Sequence, residues 1–222
     1  MHLSTRNLSR GVFRCWGDVE QSRFQSSVRH VAGRVRVGDR WMDFEALANS
    51  KIGKLIVNVA GAAMESRLRY RFSGPMKILR GADIQPGQNV LEVGCGTGFH
   101  TVSAAQLIGD QGCLVAIDVL SDYVEQTSSK VQAAALKNVH VVKRDALDTG
   151  LDAESIDTVL LFSVIPSPTA PLNRLLPEMH RVLKPEGTLA VTTFPWVLRS
   201  IRRSGLFTYV SKRNGVSNFR RS

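Results

Sequence analysis

Eight residues, Glu92-Val93-Gly94-Cys95-Gly96-Thr97-Gly98-Phe99, constrain the fold more than any other part of this chain. They follow the apolar pair Val90-Leu91, which reads as the end of a buried strand. They precede His100-Thr101-Val102-Ser103-Ala104-Ala105-Gln106-Leu107, which reads as a helix. Strand, glycine turn and helix in that order place open backbone N–H groups at the positive end of a helix dipole, where a ligand carboxylate or phosphate can sit. Glycine lets the backbone turn tightly and approach a ligand closely. Spacing then selects the ligand. The dinucleotide fingerprint needs a third glycine one position after Gly98, and that position is Phe99. A dehydrogenase is therefore disfavoured, and the pattern is acidic-x-Gly-x-Gly-x-Gly.

The residues downstream repeat one theme, an apolar run ending in a carboxylate. Cys113-Leu114-Val115-Ala116-Ile117-Asp118 places Asp118 24 residues after Gly94. An acid at the end of a second strand can accept hydrogen bonds from both hydroxyls of a ribose. Val139-His140-Val141-Val142-Lys143-Arg144-Asp145-Ala146 is a third strand ending in Asp145, and Ile156-Asp157-Thr158-Val159-Leu160-Leu161-Phe162 is a fourth. The block from Glu178 to Val191 reads as a helix, a Pro185-Glu186-Gly187 turn and a fifth strand. Strands alternating with helices predict an α/β fold with a doubly wound, mostly parallel sheet, and ligands outside the carboxyl ends of its strands.

In order and content these blocks, over residues 76 to 194, resemble the class I S-adenosylmethionine-dependent methyltransferases. The Glu178–Val191 block is similar to the menaquinone and ubiquinone methyltransferase branch. The resemblance implies a Rossmann-like methyltransferase fold that closes with an antiparallel C-terminal hairpin, and S-adenosylmethionine as cofactor. It implies cofactor contacts from Glu92, Gly94, Cys95, Gly96, Thr97, Gly98, Asp118, Val119, Asp145, Ala146 and Phe162, with Asp145 taking the adenine amino group. A helix N-cap is the structural alternative for Asp145. Packing inside the loop is the alternative for Cys95. Asp148 and Asp157 lie before or at the start of the fourth strand and read as surface residues. No metal is required, because a sulfonium is already a strong electrophile.

A base for the acceptor is harder to find. His100 follows the glycine loop and is the candidate, against its reading as a polar helix-start residue. His140 reads as a packed mid-strand residue, and His180 as exposed on the helix before the fifth strand. Ser163-Val164-Ile165-Pro166-Ser167-Pro168 follows the fourth strand, where the resembled family often places substrate contacts. It lacks the Asn-Pro-Pro-Tyr type signature of DNA and protein amide methylation.

The net charge of +10 is unevenly spread. Residues 1–80 carry +9, residues 81–194 carry −6 and residues 195–222 carry +7. An acidic core between basic ends can grip RNA, an acidic partner or an anionic membrane surface, or can simply be solvated. Residues 1–40 hold 8 Arg, no Lys and 5 Ser, the composition of a mitochondrial transit peptide. Asp18, Glu20 and the strand-and-turn pattern of Val35 to Trp41 speak for an ordinary N-terminus instead. A cytoplasmic location and the mitochondrial matrix both fit a chain whose Cys15, Cys95 and Cys113 have no metal-ligand spacing. No apolar run approaches the roughly 20 residues of a membrane span.

Three segments follow: a basic leader over 1–40, an N-terminal helical lid over 41–75 and a methyltransferase domain over 76–222. Trp41, Tyr70 and Phe72 are candidates for a substrate wall. Trp196–Arg203 reads as a basic amphipathic helix. Asn214-Gly215 between apolar stretches is a strong hairpin signal. The leading function is methyl transfer to a small quinone-like, phenolic or lipid-like acceptor. RNA or protein methylation through the basic ends, and a non-catalytic assembly role, are the alternatives.

Overall fold

The computed structural model describes residues 34–37, 40–43, 74–167 and 170–222. Strands β1 (Arg34–Val37) and β2 (Arg40–Asp43) pair antiparallel, with Arg34 opposite Asp43 and Val37 opposite Arg40. Residues 41–43, expected to open a helical lid, are therefore strand. The Arg34-Val35-Arg36-Val37 alternation has the period of two that a strand requires. Residues 44–73 of the lid, with Tyr70 and Phe72, and the rest of the leader lie outside the described residues.

The remaining elements are α1 (Pro75–Gly81), β3 (Asn89–Val93), α2 (Thr101–Ile108), β4 (Cys113–Asp118), α3 (Ser121–Ala133), β5 (Val139–Lys143), β6 (Ile156–Phe162), α4 (Leu172–Val182), β7 (Leu183–Thr192), α5 (Pro195–Arg203), β8 (Phe207–Arg213) and β9 (Val216–Arg221). They form a seven-stranded sheet in the order β5-β4-β3-β6-β7-β9-β8. Strands β3 to β7 run parallel, and β9 runs antiparallel to both β7 and β8. The order reverses between β3 and β6, which is where an open α/β sheet holds its ligand.

Parallel strands covered on both faces read as continuous apolar runs, and β4 is buried along its whole length. Period-two alternation sends neighbouring side chains to opposite layers. Leu91, Val115, Val159 and Leu189 pack with α4 and α5 residues Leu175, Met179, Val197 and Ile201. Val90, Leu114, Leu160 and Ala190 pack with Leu79, Ala104 and Ile108 on the other face. The hairpin turns through Asn214 and Gly215, both with positive φ (49° and 83°), as a type I′ turn requires.

Three details differ from the sequence expectation. Helix α4 starts at Leu172, six residues before Glu178, and runs through Pro177. The proline forfeits one backbone bond, but Leu175, Leu176, Met179 and Val182 anchor the helix on the sheet. The Pro185-Glu186-Gly187 turn is a bulge inside β7: Leu183 pairs with Ile156 and Thr188 with Thr158, so the residues between are looped out. Asp157 is not a plain surface residue. Its carboxylate accepts from the Asn89 backbone N–H and from Lys184 Nζ, both at 2.8 Å, joining β6, β3 and the bulge. Asp148 is exposed.

The hairpin is tied to the first core helix through Asn218, whose buried Nδ2 donates to the Gly81 carbonyl at 2.8 Å. Asn218→Ala should cost about 1 kcal/mol and lower the melting temperature by about 2–4 °C in a chain of this size. An unchanged melting temperature would show that the hairpin does not depend on this link. Among the described residues, no helix is long and apolar enough to cross a membrane.

Candidate functional site: an acidic glycine cleft

The glycine loop leaves β3 at the point where the strand order reverses. Gly94, Gly96 and Gly98 all have positive φ (68°, 55° and 78°), a conformation that side-chain-bearing residues rarely adopt. Space adds a second constraint. A Cβ on Gly94 would lie 2.8 Å from the side chain of Val164 in the loop leaving β6, which packs against the glycine loop. A Cβ on Gly98 would lie 3.0 Å from the Thr127 hydroxyl on α3.

The loop is fixed by its neighbours. The Gly94 and Cys95 N–H groups both donate to the Ile117 carbonyl, at 2.8 and 3.0 Å, and Gly98 N–H donates to the Cys95 carbonyl at 2.9 Å. Asp118 closes the arrangement from the end of β4. Its Oδ2 accepts from Gly96 N–H and its Oδ1 from Leu120 N–H, both at 3.0 Å. The Arg144 N–H donates to the Asp118 carbonyl at 2.9 Å and brings the end of β5 alongside. Asp145 follows, and its Oδ1 accepts from Leu147 N–H at 2.9 Å. It caps a turn and not the helix that was its structural alternative.

The electrostatics are acidic. Glu92 is 3% exposed, and burial raises its carboxyl from 4.5 to about 7. The Thr101 hydroxyl, donating at 2.7 Å, pulls the other way, and the charge of Asp118 adds to the rise. Burial likewise raises Asp118 against the lowering effect of its backbone donors, and raises Asp145 against Leu147 N–H and the charge of Arg174. Among the described residues no Lys or Arg forms an ion pair with Glu92 or Asp118. Two buried carboxyls without a cationic partner among the described residues suit a ligand that brings positive charge. Thr97 Oγ1, in a residue 3% exposed, has no hydrogen-bond partner among the described residues, so the loop also offers a hydroxyl donor and acceptor.

His100 occupies the N-cap position of α2 without a side-chain cap bond. Its buried ring meets Phe99 and Phe162 edge-on, at 4.8 and 5.1 Å between centroids. Phe162 is thereby held beside the residue that follows the loop, at the edge of the core layer. Ala146 is buried in the core layer and Val119 is half-buried beside Asp118. Burial pushes the Cys95 thiol far up, so it stays protonated and acts as packing. His180 is not a free surface residue: its Nε2 lies 3.1 Å from the Ser222 carbonyl and its ring packs on Phe207. Among the described residues no group of three or more His, Cys, Asp or Glu is placed to hold a metal.

Thr127 escapes a reading of the sequence, because α3 carries too few apolar residues to announce a face. Its hydroxyl donates to the Gly96 carbonyl at 2.8 Å from a fully buried position. Thr127→Val keeps the shape and removes the donor. At about 1 kcal/mol for one buried bond, cofactor affinity should fall about fivefold. Unchanged affinity in a calorimetric titration would show that the loop holds its shape without α3.

Comparison with known proteins agrees with this geometry. Residues 90–187 match the family described as "Methyltransferase domain". A demethylmenaquinone methyltransferase of Listeria welshimeri is 34% identical over 116 residues, 52% of this chain and 47% of the relative. One of Bacillus cereus is 33% identical over 110 residues, 49% of this chain and 46% of the relative. The chain thus spans about half the length of the curated relatives it matches. Among solved structures, a SAM-dependent methyltransferase from Aquifex aeolicus shares the fold with a TM-score of 0.60 at 23% identity, over 73% of this chain and 96% of that one. Residues 90–187 are thus similar to the methyltransferase domain family, and the sheet with its glycine loop and closing antiparallel hairpin shares the fold of a SAM-dependent methyltransferase.

Proposed function

We propose that this chain transfers a methyl group from S-adenosylmethionine to a small quinone-type acceptor, with residues 76–222 as the methyl-transfer domain. The similarity to demethylmenaquinone methyltransferases carries the choice of acceptor. The acidic glycine cleft supports the cofactor. Bound there, S-adenosylmethionine would supply a methyl group on a positively charged sulfur, open to in-line displacement by the acceptor.

The chain's own part is to bind, orient and exclude water. The N–H groups of Gly94, Cys95, Gly96 and Gly98 are engaged within the protein, so the Thr97 hydroxyl is the loop's candidate donor to a carboxylate. Asp118 uses one lone pair of each oxygen on the loop and keeps others for ribose hydroxyls. Glu92 beneath the loop offers a compensating charge to a cation. Asp145 and Ala146 would meet the base amino group, and Phe162 would pack against the cofactor. Rigid alignment of the two reactants in a dry site is the main source of rate. A carbon or phenolic oxygen acceptor must also lose a proton, and His100 Nδ1 or Nε2 is the candidate to take it.

Buried thiols at Cys95 and Cys113 fit a reducing compartment, and we take the cytoplasm as its place. The reading is tested with the full chain, S-adenosylmethionine and a reduced demethylnaphthoquinone, followed by mass spectrometry. A product heavier by one methylene is expected. Cofactor binding without methylation of any quinol or phenol would remove the acceptor reading and leave the cofactor assignment intact.

A further inference from the structure

The outer side of α5 has no role in the cleft, and its chemistry is unusual for a plain solvated face. Val197 and Ile201 turn inward to the core, so the opposite side of the helix faces solvent. Phe194 and Trp196 are each 60% exposed, and their rings stack 6.2 Å apart with planes 6° from parallel. Trp196, Arg199 and Arg203 recur at spacings of three and four, so they lie in one stripe along the helix. Arg202 flanks the stripe, its guanidinium 4.0 Å from the Tyr209 ring on β8. From residue 195 to 222 there are seven basic residues and no acid.

This surface sits at the rim of the site. Phe194 leaves the sheet just after β7, at the carboxyl edge that also carries the glycine loop. Ser163 N–H donates to Thr192 Oγ1 at 3.1 Å, and Thr193 Oγ1 donates to the Ile165 carbonyl at 2.6 Å. The loop leaving β6 and the segment leading into α5 are thus joined side by side.

We propose that Phe194, Trp196, Arg199 and Arg203 form a docking rim for an anionic lipid bilayer. The charge is complementary to acidic headgroups, and each Arg near such a surface is worth about a fivefold gain in binding. The apolar pair decides between a membrane and other polyanions. Aromatic rings settle at the headgroup boundary, while neighbouring arginines reach past them to phosphates. A base-stacking site would instead present ring faces singly within a basic groove. Here the two rings lie parallel and offset, both largely exposed, and make one continuous apolar patch. The inference rests on this surface alone and holds whatever the methyl acceptor is.

The test is sedimentation of the full chain with vesicles of mixed phosphatidylglycerol and phosphatidylcholine, against vesicles of phosphatidylcholine alone. Binding to the anionic vesicles alone, falling steeply with salt, is expected. Arg199→Glu/Arg203→Glu should weaken it by about 25-fold or more. Wild-type tryptophan fluorescence should shift to the blue on binding, and Phe194→Ser/Trp196→Ser should lose sedimentation with the anionic vesicles by about tenfold or more. All four side chains lie outside the core, so the melting temperature of each variant should match wild type. Absence of binding to anionic vesicles would overturn the proposal. So would binding that both variants retain in full, which would place the contact elsewhere in the chain. Displacement of the vesicles by polyuridylic acid, with the same variants losing RNA affinity, would overturn it in favour of a nucleic-acid surface.

Discussion

Asp118→Ala should reduce affinity for S-adenosylmethionine by about a hundredfold. Two ribose hydroxyls donating to one carboxylate are worth about 3 kcal/mol together, and each 1.4 kcal/mol is a factor of ten. The substitution also strikes the loop itself. Gly96 and Leu120 both donate to this carboxylate, and Gly96 holds a positive φ that needs external support. Asp118→Asn separates the two effects. It keeps one acceptor oxygen and the side-chain shape, so the ligand-free melting temperature should fall less than in Asp118→Ala, while affinity still drops. Gly96→Arg should remove binding by another route, by placing a long side chain where the backbone needs glycine's freedom. Calorimetric titration of the three variants checks the assignment. Wild-type affinity in Asp118→Ala would mean that the acid at the end of β4 does no more than brace the loop.

The parts of this molecule that were legible in the sequence are those where one short segment carries both fold and chemistry. A parallel strand buried on both faces is a contiguous apolar run, so Cys113–Asp118 and Ile156–Phe162 show their limits directly. The acids that end such runs fall at the carboxyl edge by topology, which brought Glu92, Asp118 and Asp145 to one edge of the sheet. The turn at Asn214-Gly215 needs positive φ at both positions and admits few other residues. What was illegible depends on partners distant in sequence. Thr127 matters only because α3 lays it against Gly96 and Gly98. Asp157 reads as a surface acid until β3 and the bulge of β7 deliver Asn89 and Lys184 to it. Pro177 hides the first half of α4, since a local rule ends a helix there while burial of Leu175 and Leu176 carries it through. The exposed stacking of Phe194 on Trp196 also has no local signature, because aromatic residues near an amphipathic helix are most often core.

Glu92 should give the ligand-free and ligand-bound proteins opposite pH dependence. In the folded chain its carboxyl is raised from 4.5 to about 7, chiefly by burial. Between those values the folded state holds a proton that the unfolded state has lost, so stability falls as pH rises through this window. Below 4.5 both states are protonated and the penalty is absent. Above 7 it is fully present, at up to about 3 kcal/mol for a shift of this size. Glu92→Gln is neutral at every pH and still accepts the Thr101 hydroxyl. The variant should therefore match wild type in melting temperature near pH 4.5 and exceed it by several degrees at pH 8. Affinity should move the other way. A cation bound over the loop favours the ionised carboxyl, so wild-type affinity for S-adenosylmethionine should rise as pH passes 7, with a proton released on binding. Titrations in buffers of different ionisation enthalpy would register that proton, and Glu92→Gln should bind more weakly without the pH dependence. A variant that copies the wild-type pH profile in both experiments would show that Glu92 neither carries the penalty nor meets the cofactor's charge.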